Sequence, residues 1–191
     1  MTPAFALFDT AIGPCAIAWG GAGVVGMWFP GPTPDHTRAS IHRRHPDALE
    51  AAPTPPIARA IDALQALLET GRGDLNFIEL DLAGARAFDL RVYDEARSIP
   101  AGETRTYGDI ARRLGDVALS REVGQALGRN PYPMVVPCHR VLAAGGKTGG
   151  FSAPGGVDSK LRLLTIERAR TSDAPLLFDD LPIAARPPKS H

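Results

Sequence analysis

The residues best suited to chemistry in this chain are a cysteine and a histidine that stand side by side. Cys138 and His139 lie in the segment RNPYPMVVPCHRVL, and Cys15 is the one other cysteine of the sequence. A thiolate is a strong nucleophile once a neighbour lowers the pKa of the thiol or accepts its proton. We expect Cys138 on an apolar strand, where adjacent side chains point to opposite faces. A water relay to His139, backed by an acid, would suit that geometry.

The bulk composition restricts where such a thiol could work. Two distant cysteines and an N-terminus without a basic leader predict a reducing, cytoplasmic location, in which Cys138 is a free thiol. No apolar run reaches the ~20 residues that cross a bilayer, so we expect no membrane partner. A Cys15–Cys138 disulfide and a buried, inert Cys138 are the structural alternatives.

The net charge of zero conceals an uneven distribution. Residues 1–85 carry 5 basic and 9 acidic side chains, residues 86–170 carry 14 and 9, and residues 171–191 carry 2 and 3. The basic excess therefore lies in the part that contains Cys138, where it could attract a phosphate backbone. An Arg-rich solvated surface explains the same excess, so the charge alone does not decide between them.

The first part of the chain reads as α+β. Gly-rich turns separate three short predicted strands, and an amphipathic helix ended by Gly71 follows a Pro-rich stretch. The predicted elements are strands at 4–9, 15–20, 24–29 and 74–82 and helices at 37–45 and 56–70. His36, His42 and His45 cluster near the first helix, but no cysteine and few acids stand at ligand spacing, so we predict no metal site.

The second part reads as mainly helical. Helices are predicted at 107–114 and 120–127, with Ser120 as the N-cap of the second, and about four residues between them. Two such helices form the helix-turn-helix pattern, whose second helix usually meets DNA. A Gly-rich loop and a further helix, DSKLRLLTIERA, follow, and residues 171–191 form a Pro-rich tail.

Four segments occur together, in order and at suitable spacing: TYGDIARRLG, SREVGQALGRNP, VVPCHRVL and GGFSAPGGVDSKLRLLTIE. Together they resemble the O6-alkylguanine-DNA alkyltransferases, also called methylated-DNA–protein-cysteine methyltransferases. The resemblance is strong over residues 88–168. It implies a ribonuclease-H-like α+β domain over 1–85, then a winged-helix-like, helix-turn-helix DNA-binding domain over 86–170, with 171–191 as the tail.

The resemblance also implies roles for catalytic residues. Cys138 matches the acceptor that takes the alkyl group from guanine O6, and His139 matches the histidine that deprotonates it through a water. Glu167 stands at the position of the acid behind that histidine. Asn130 matches the hinge asparagine that ties the recognition helix to the active-site segment.

A second set of positions matches groups that contact the substrate. Tyr107 matches a tyrosine that moves the target phosphate and contacts the extruded base, and Arg121 matches an arginine that fills the gap in the base stack. Val141 and Ser152 match positions whose backbone groups read the guanine edge. Gln125 departs from the pattern, since a small residue is frequent there, and it could crowd the DNA groove.

The predicted function is direct-reversal DNA repair, in which Cys138 accepts one alkyl group from O6-alkylguanine in double-stranded DNA and the protein is then spent. O4-alkylthymine is a further candidate substrate, and we expect a monomer without cofactor or metal. The alternatives are a non-catalytic binder of alkylated DNA that recruits other repair factors, a DNA-responsive regulator, and a thiol hydrolase that would turn over repeatedly.

Overall fold

The N-terminal part of the chain folds into a small sheet in the computed structural model, which describes residues 2–151 and 155–169. Strands β1 and β2 are antiparallel, as are β2 and β3, whereas β4 pairs in parallel with β1 and gives the order β3-β2-β1-β4. The strands are β1 (Ala4–Phe8), β2 (Cys15–Gly20), β3 (Gly23–Trp28) and β4 (Leu49–Glu50). The three predicted strands of this meander are confirmed.

Two helices accompany this sheet. Helix α1 (Pro34–Arg44) begins earlier than predicted, because the Thr33 side chain caps it by accepting a hydrogen bond from the backbone N–H of His36. Pro34 also suits the first helical position. Helix α2 (Pro55–Thr70) buries its apolar face and ends at Gly71, whose φ of 70° is left-handed. A methyl group added at Gly71 would collide with the carbonyl of Ile166, far along the chain.

The strand predicted at residues 74–82 is wrong except for one contact. Val24 and Leu80 form an isolated parallel bridge, and a short turn at 76–77 with irregular backbone replaces the rest of the predicted strand. Asn76 is held in such a turn, since its backbone N–H donates to the Asp74 carboxylate. A local side-chain bond of this kind competes with strand pairing.

The C-terminal part is mainly helical, as predicted. Helix α4 packs against α5, and the connection of six residues between them contains a 3₁₀ turn at Val117–Leu119 and is slightly longer than predicted. Ser120 is the first residue of α5 rather than its cap, because its hydroxyl donates to the Val117 carbonyl. The elements are α3 (Ala87–Arg97), β5 (Arg105–Thr106), α4 (Tyr107–Arg113), α5 (Ser120–Gly128), β6 (Val141–Leu142) and α6 (Gly156–Ile166).

One apolar core continues across residue 85. Its buried members come from β1–β3 and α2 on one side and from α3–α6 on the other. Backbone contacts join the two parts as well: the Met27 N–H donates to the Pro131 carbonyl at 2.9 Å, and the Tyr132 hydroxyl donates to the Asp81 carbonyl. The two parts therefore pack closely, and the loop after α5 is anchored on the N-terminal sheet.

The fold is α+β, with a small sheet followed by helices, as the sequence predicted. Within the described ranges, no helix is both long and apolar enough to cross a membrane. The predicted tail at 171–191 and the candidate residue Ser152 lie outside the described residues.

Candidate active site

Cys138 lies on a tight turn rather than on a strand, which corrects the prediction. Residues Cys138–Arg140 form a 3₁₀ turn, closed by a bond of 2.9 Å from the Arg140 N–H to the Pro137 carbonyl, and β6 begins only at Val141. Pro137 has no N–H to give a neighbouring strand, so the chain favours a turn here. The Cys138 side chain is half-buried, and His139 beside it is almost fully enclosed.

His139, Arg140 and Glu167 form a buried cluster beside the thiol. The Nε2 atom of His139 lies 3.0 Å from Oε1 of Glu167. The Arg140 guanidinium contacts both carboxylate oxygens, at 3.0 and 2.7 Å, and donates to the Ile99 carbonyl at 2.6 Å. An arginine that binds both oxygens is a rigid partner for a carboxylate. Arg140 therefore fixes the orientation in which Glu167 forms its hydrogen bond with His139.

The electrostatics of this cluster leave His139 neutral. Burial alone would raise the pKa of Glu167. Hydrogen bonds from His139 and Arg140 outweigh this effect of burial and hold the pKa of Glu167 at about 2. Burial lowers the pKa of His139, against the opposing effect of Glu167. An ionised Glu167 can only accept a hydrogen bond from His139, so the Nε2 atom of His139 carries the ring proton. Nδ1, which has no hydrogen-bond partner among the described residues, then bears the free lone pair.

Lys160 is an inward-pointing lysine that the sequence prediction did not assign to the site. Its side chain is fully buried, and Nζ donates to the Val141 carbonyl at 2.6 Å. Nζ also lies 5.9 Å from the centre of the Tyr107 ring. Burial lowers the pKa of Lys160 to about 8, partly offset by the charge of the Cys138 thiolate. The ammonium therefore favours ionisation of the same thiol.

Burial raises the pKa of the Cys138 thiol, and several groups oppose that effect. The side chain of Asn130 bonds to the thiol, Lys160 supplies positive charge, and the backbone N–H groups of Cys138 and His139 contribute further. A thiol in this setting needs a base to accept its proton. Cys15 differs, since it is buried within β2 and burial raises its pKa to about 11.

Asn130 holds the loop between α5 and the nucleophile. Its Nδ2 donates to the Val136 carbonyl at 2.8 Å, while Oδ1 accepts from the Tyr132 N–H at 2.9 Å. The end of α5 is fixed separately, because the adjacent Arg129 makes two bonds to the buried Asp89 carboxylate of α3. Asn130 thus connects α5 to the turn of Cys138.

Local pairing places Tyr107 near the thiol. Thr106 caps α4 in a reciprocal arrangement with Asp109, and β5 pairs in parallel with β6, with Thr106 opposite Leu142. Tyr107, the first residue of α4, is therefore placed beside the segment that follows Cys138. Burial raises the pKa of Tyr107, and the nearby thiolate adds to this effect, so the phenol stays a donor.

A cavity of about 500 Å³ opens in front of the thiol. Phe151 forms part of its wall, and the wall formed by α5 carries Gly124 and Gly128, which lack side chains. The lining residues are Tyr107, Gly124, Leu127, Gly128, Cys138, Gly150 and Phe151. We call this space the front cavity. It has the apolar walls and few polar groups typical of a small-molecule site.

The remaining predicted residues divide into two groups. Val141 lies directly after the Cys138 turn, and its carbonyl accepts a hydrogen bond from Lys160. Arg121 is exposed on the first turn of α5 and lies outside the lining of the front cavity. In the described part of the chain, no three His, Cys, Asp or Glu side chains cluster as metal ligands.

Comparisons with known proteins agree with this geometry. The pattern for the 6-O-methylguanine DNA methyltransferase DNA-binding domain matches residues 87–169. A methylated-DNA–protein-cysteine methyltransferase of Mycobacterium bovis is 42% identical over 120 residues, which cover 63% of this chain and 70% of the relative. The chain belongs to the methylated-DNA–protein-cysteine methyltransferase family.

Other members of the methyltransferase family support the same assignment. The Mycolicibacterium paratuberculosis member is 48% identical over 102 residues, covering 53% of this chain and 60% of its own length. The Mycobacterium tuberculosis OGT protein, solved in complex with DNA, superposes with a TM-score of 0.68 at 32% identity and covers 86% of this chain and 92% of that one. The chain thus spans 60–70% of these two curated relatives and most of the solved structure.

Sequence reasoning missed two site residues in this family member, Lys160 and Arg140, and only Lys160 left a signal. Lys160 shares a helical face with Leu163, Leu164 and Glu167, all buried, so a lysine stood in an apolar pattern. Arg140 follows His139 directly, but its distant partner Glu167 is not evident from spacing. A lone lysine on a core face therefore marks a candidate functional residue.

Proposed function

We propose that this chain repairs DNA by transferring one alkyl group from O6-alkylguanine in a duplex to its own Cys138. The observation that carries the proposal is the arrangement around the thiol: a neutral, buried His139 held by Glu167, next to a half-buried Cys138 that opens on the front cavity. The family membership and the names of the relatives support the same reaction.

The proton path begins at the thiol. The Nδ1 lone pair of His139 receives the Cys138 proton through one water, and the charge on the ring is balanced by Glu167. Lys160 and the side chain of Asn130 stabilise the thiolate as it forms. This is the division of roles in a nucleophile–base–acid triad, with Arg140 holding the acid.

The transfer itself is a displacement at carbon. A lone pair of the Cys138 thiolate forms the S–C bond, and the C–O6 bond breaks with its electron pair left on guanine. The guanine then takes up one proton, for which the Tyr107 hydroxyl is the proposed donor, re-supplied by the proton that the thiol released. A thioether resists hydrolysis, so each molecule reacts once.

A base within a duplex cannot meet this thiol and must be extruded into the front cavity. We assign the entry to α4 and α5, as a helix-turn-helix in a winged-helix-like domain at 86–170, with Arg121 filling the gap in the stack. The basic excess of this part and the exposed position of Arg121 support the assignment. Val141 and Ser152 are the proposed readers of the guanine edge.

We further infer a ribonuclease-H-like domain at 1–85 and action as a monomer in the cytoplasm. One chain supplies every group that the proposed reaction uses, and Cys138 is a free thiol, which suits a reducing compartment. Sedimentation of the protein alone, and bound to a short duplex, tests the monomer.

Stoichiometry is the decisive test of the reaction. The protein is incubated with an excess of duplex containing O6-methylguanine, and its intact mass is measured over time. We expect one added methylene per chain, located on Cys138 by peptide mapping. Release of product beyond one equivalent would instead indicate a hydrolase, and binding without a mass change would indicate a non-catalytic DNA binder.

A further inference from the structure

Tyr132 connects the loop before the nucleophile to the N-terminal part of the chain. Its side chain is almost fully buried, and its hydroxyl donates to the backbone carbonyl of Asp81. Its ring packs edge-on against the ring of Tyr93, with the ring centres 6.5 Å apart. Asp81 is itself fixed, since its backbone N–H donates to the Val24 carbonyl of β3 at 2.8 Å. Tyr132 therefore extends from the helices to a segment that is bonded to the sheet.

The backbone of Tyr132 holds the side chain of Asn130. The Tyr132 N–H donates to Oδ1 of Asn130 at 2.9 Å, and Nδ2 of the same amide donates to the Val136 carbonyl at 2.8 Å. Oδ1 can only accept and Nδ2 can only donate, so these two bonds determine which way the amide faces. The side chain of Asn130 also bonds to the Cys138 thiol, and Nδ2 is its donor for a thiolate.

The orientation of this amide matters for the charge on the sulfur. An N–H donor stabilises a thiolate, whereas a carbonyl oxygen in the same place would repel it. The bond from Asn130 lowers the pKa of the Cys138 thiol, against the larger effect of burial, which raises it. A half-turn of the amide would therefore remove a favourable contact and introduce an unfavourable one. Any group that holds the amide in place contributes to the reactivity of the sulfur.

Two further contacts hold the same loop without bonding to the amide. Arg129 makes two bonds to the Asp89 carboxylate, at 3.0 and 2.8 Å, and the Pro131 carbonyl accepts from the Met27 N–H at 2.9 Å. Tyr132 differs from both, because a single residue carries the outer anchor, which is its hydroxyl, and the inner contact, which is its N–H.

We propose that Tyr132 is a positioning residue that keeps the Nδ2 atom of Asn130 turned toward the Cys138 thiol. Its hydroxyl bond to Asp81 is the outer anchor of this arrangement. The inference rests on the proposed role of Cys138 as the nucleophile of alkyl transfer. Tyr132 is not part of the lining of the front cavity, so it acts through Asn130 and not on the substrate. The reactivity of the nucleophile then depends on a backbone carbonyl 51 positions before Tyr132.

The test compares Tyr132→Phe with Tyr93→Phe in the full-length protein without DNA. Each variant loses one buried hydroxyl and keeps its ring in the aromatic pair, but the Tyr93 hydroxyl donates to the Ala126 carbonyl of α5, at 3.4 Å. The rate at which iodoacetamide modifies Cys138 is measured across pH by peptide mapping. We expect Tyr132→Phe to move this profile to higher pH by about 0.5, which leaves about three-fold less thiolate near pH 7, and Tyr93→Phe to leave the profile in place.

A double-variant cycle tests whether Tyr132 acts through Asn130. Asn130→Ala should shift the profile by itself, and adding Tyr132→Phe should then cause no further shift, because the amide that Tyr132 positions is gone. The other titratable groups beside the thiol, His139, Lys160 and Tyr107, are the same in every variant. Thermal unfolding shows over which pH range each variant is folded.

An unchanged profile for Tyr132→Phe would overturn the inference. Equal shifts in Tyr132→Phe and Tyr93→Phe, or additive shifts in the cycle with Asn130→Ala, would overturn it as well. Iodoacetamide needs no DNA, so the profile is independent of the repair reaction. Failure of the unmodified protein to accept a methyl group would overturn the proposed function, and the profile would still decide whether Tyr132 positions the amide.

Discussion

The Nε2 atom of His139 lies 3.0 Å from Oε1 of Glu167, although 28 positions separate the two residues along the chain. The contact forms because α6 ends at Ile166 and leaves Glu167 at the helix terminus, against the turn that carries Cys138. Arg140 of the same turn locks the carboxylate from its other side. His139 is thereby held in one tautomer, in which Nδ1 is free to accept a proton.

Replacement of the nucleophile should separate chemistry from binding. Cys138→Ser should abolish alkyl transfer, because a serine hydroxyl ionises far less readily than a thiol near pH 7. Affinity for duplex DNA, measured by fluorescence anisotropy, should persist. Cys15→Ala is the control: that thiol is enclosed in β2, so the variant should lose some stability and keep one-for-one transfer. Normal methyl transfer by Cys138→Ser would refute the assignment.

Glu167→Gln should weaken both stability and transfer. The change leaves Arg140 buried with an incomplete partner, which costs on the order of 3 kcal/mol of unfolding free energy. The pKa of Glu167 is depressed from 4.5 to about 2 in the folded state. Its contribution to stability is therefore fully present above pH 4.5 and is lost as the pH falls toward 2. Urea unfolding should show that acid-dependent loss in the unmodified protein and a weaker one in the variant.

Lys160→Met tests the same linkage at alkaline pH. The pKa of Lys160 falls from 10.5 to about 8 on folding, so between these values the unfolded chain binds more protons. The unmodified protein should then gain stability relative to the Met variant as pH rises through that interval. At pH 7 the variant should transfer methyl about ten-fold more slowly, since the thiolate loses a favourable charge. A pH-independent stability difference would show that folding does not shift the pKa of Lys160.

Arg121→Ala should distinguish base extrusion from chemistry. We expect slower transfer from duplex DNA, with little change in the reaction of free O6-methylguanine, which needs no extrusion. Arg91→Ala serves as the control, because Arg91 is an exposed arginine of α3 whose guanidinium donates to the Leu114 carbonyl. Equal losses on both substrates would mean that Arg121 supports the fold.

Affinity for duplex DNA should fall as salt rises. The basic excess of residues 86–170 is small, with 14 basic against 9 acidic side chains, so few phosphates are neutralised and the slope of log affinity against log salt should be shallow. A titration at several salt concentrations measures that slope. Salt-independent binding would exclude the phosphate backbone as the main contact.

Local patterns predicted much of this structure. The meander, α2 with its Gly71 stop and the α4–α5 pair follow from periodicity and capping, which act over a few residues. The turn at Cys138 was missed because a run of apolar residues after a proline looks like a strand. The buried positions of Lys160 and Arg140 depend on contacts between α6 and the Cys138 turn, which spacing along the chain does not encode.

The close fit between Gly71 and Ile166 has a consequence for protein engineering. A helix terminator in the first half of the chain abuts the last residue of α6, immediately before the acid Glu167. The halves are therefore not interchangeable modules. A chimera that joins residues 1–85 of this protein to the catalytic half of a relative would need a matching glycine and helix end at this junction. Random mutagenesis screened for lost transfer should likewise recover position 71, which abuts Ile166 and Glu167.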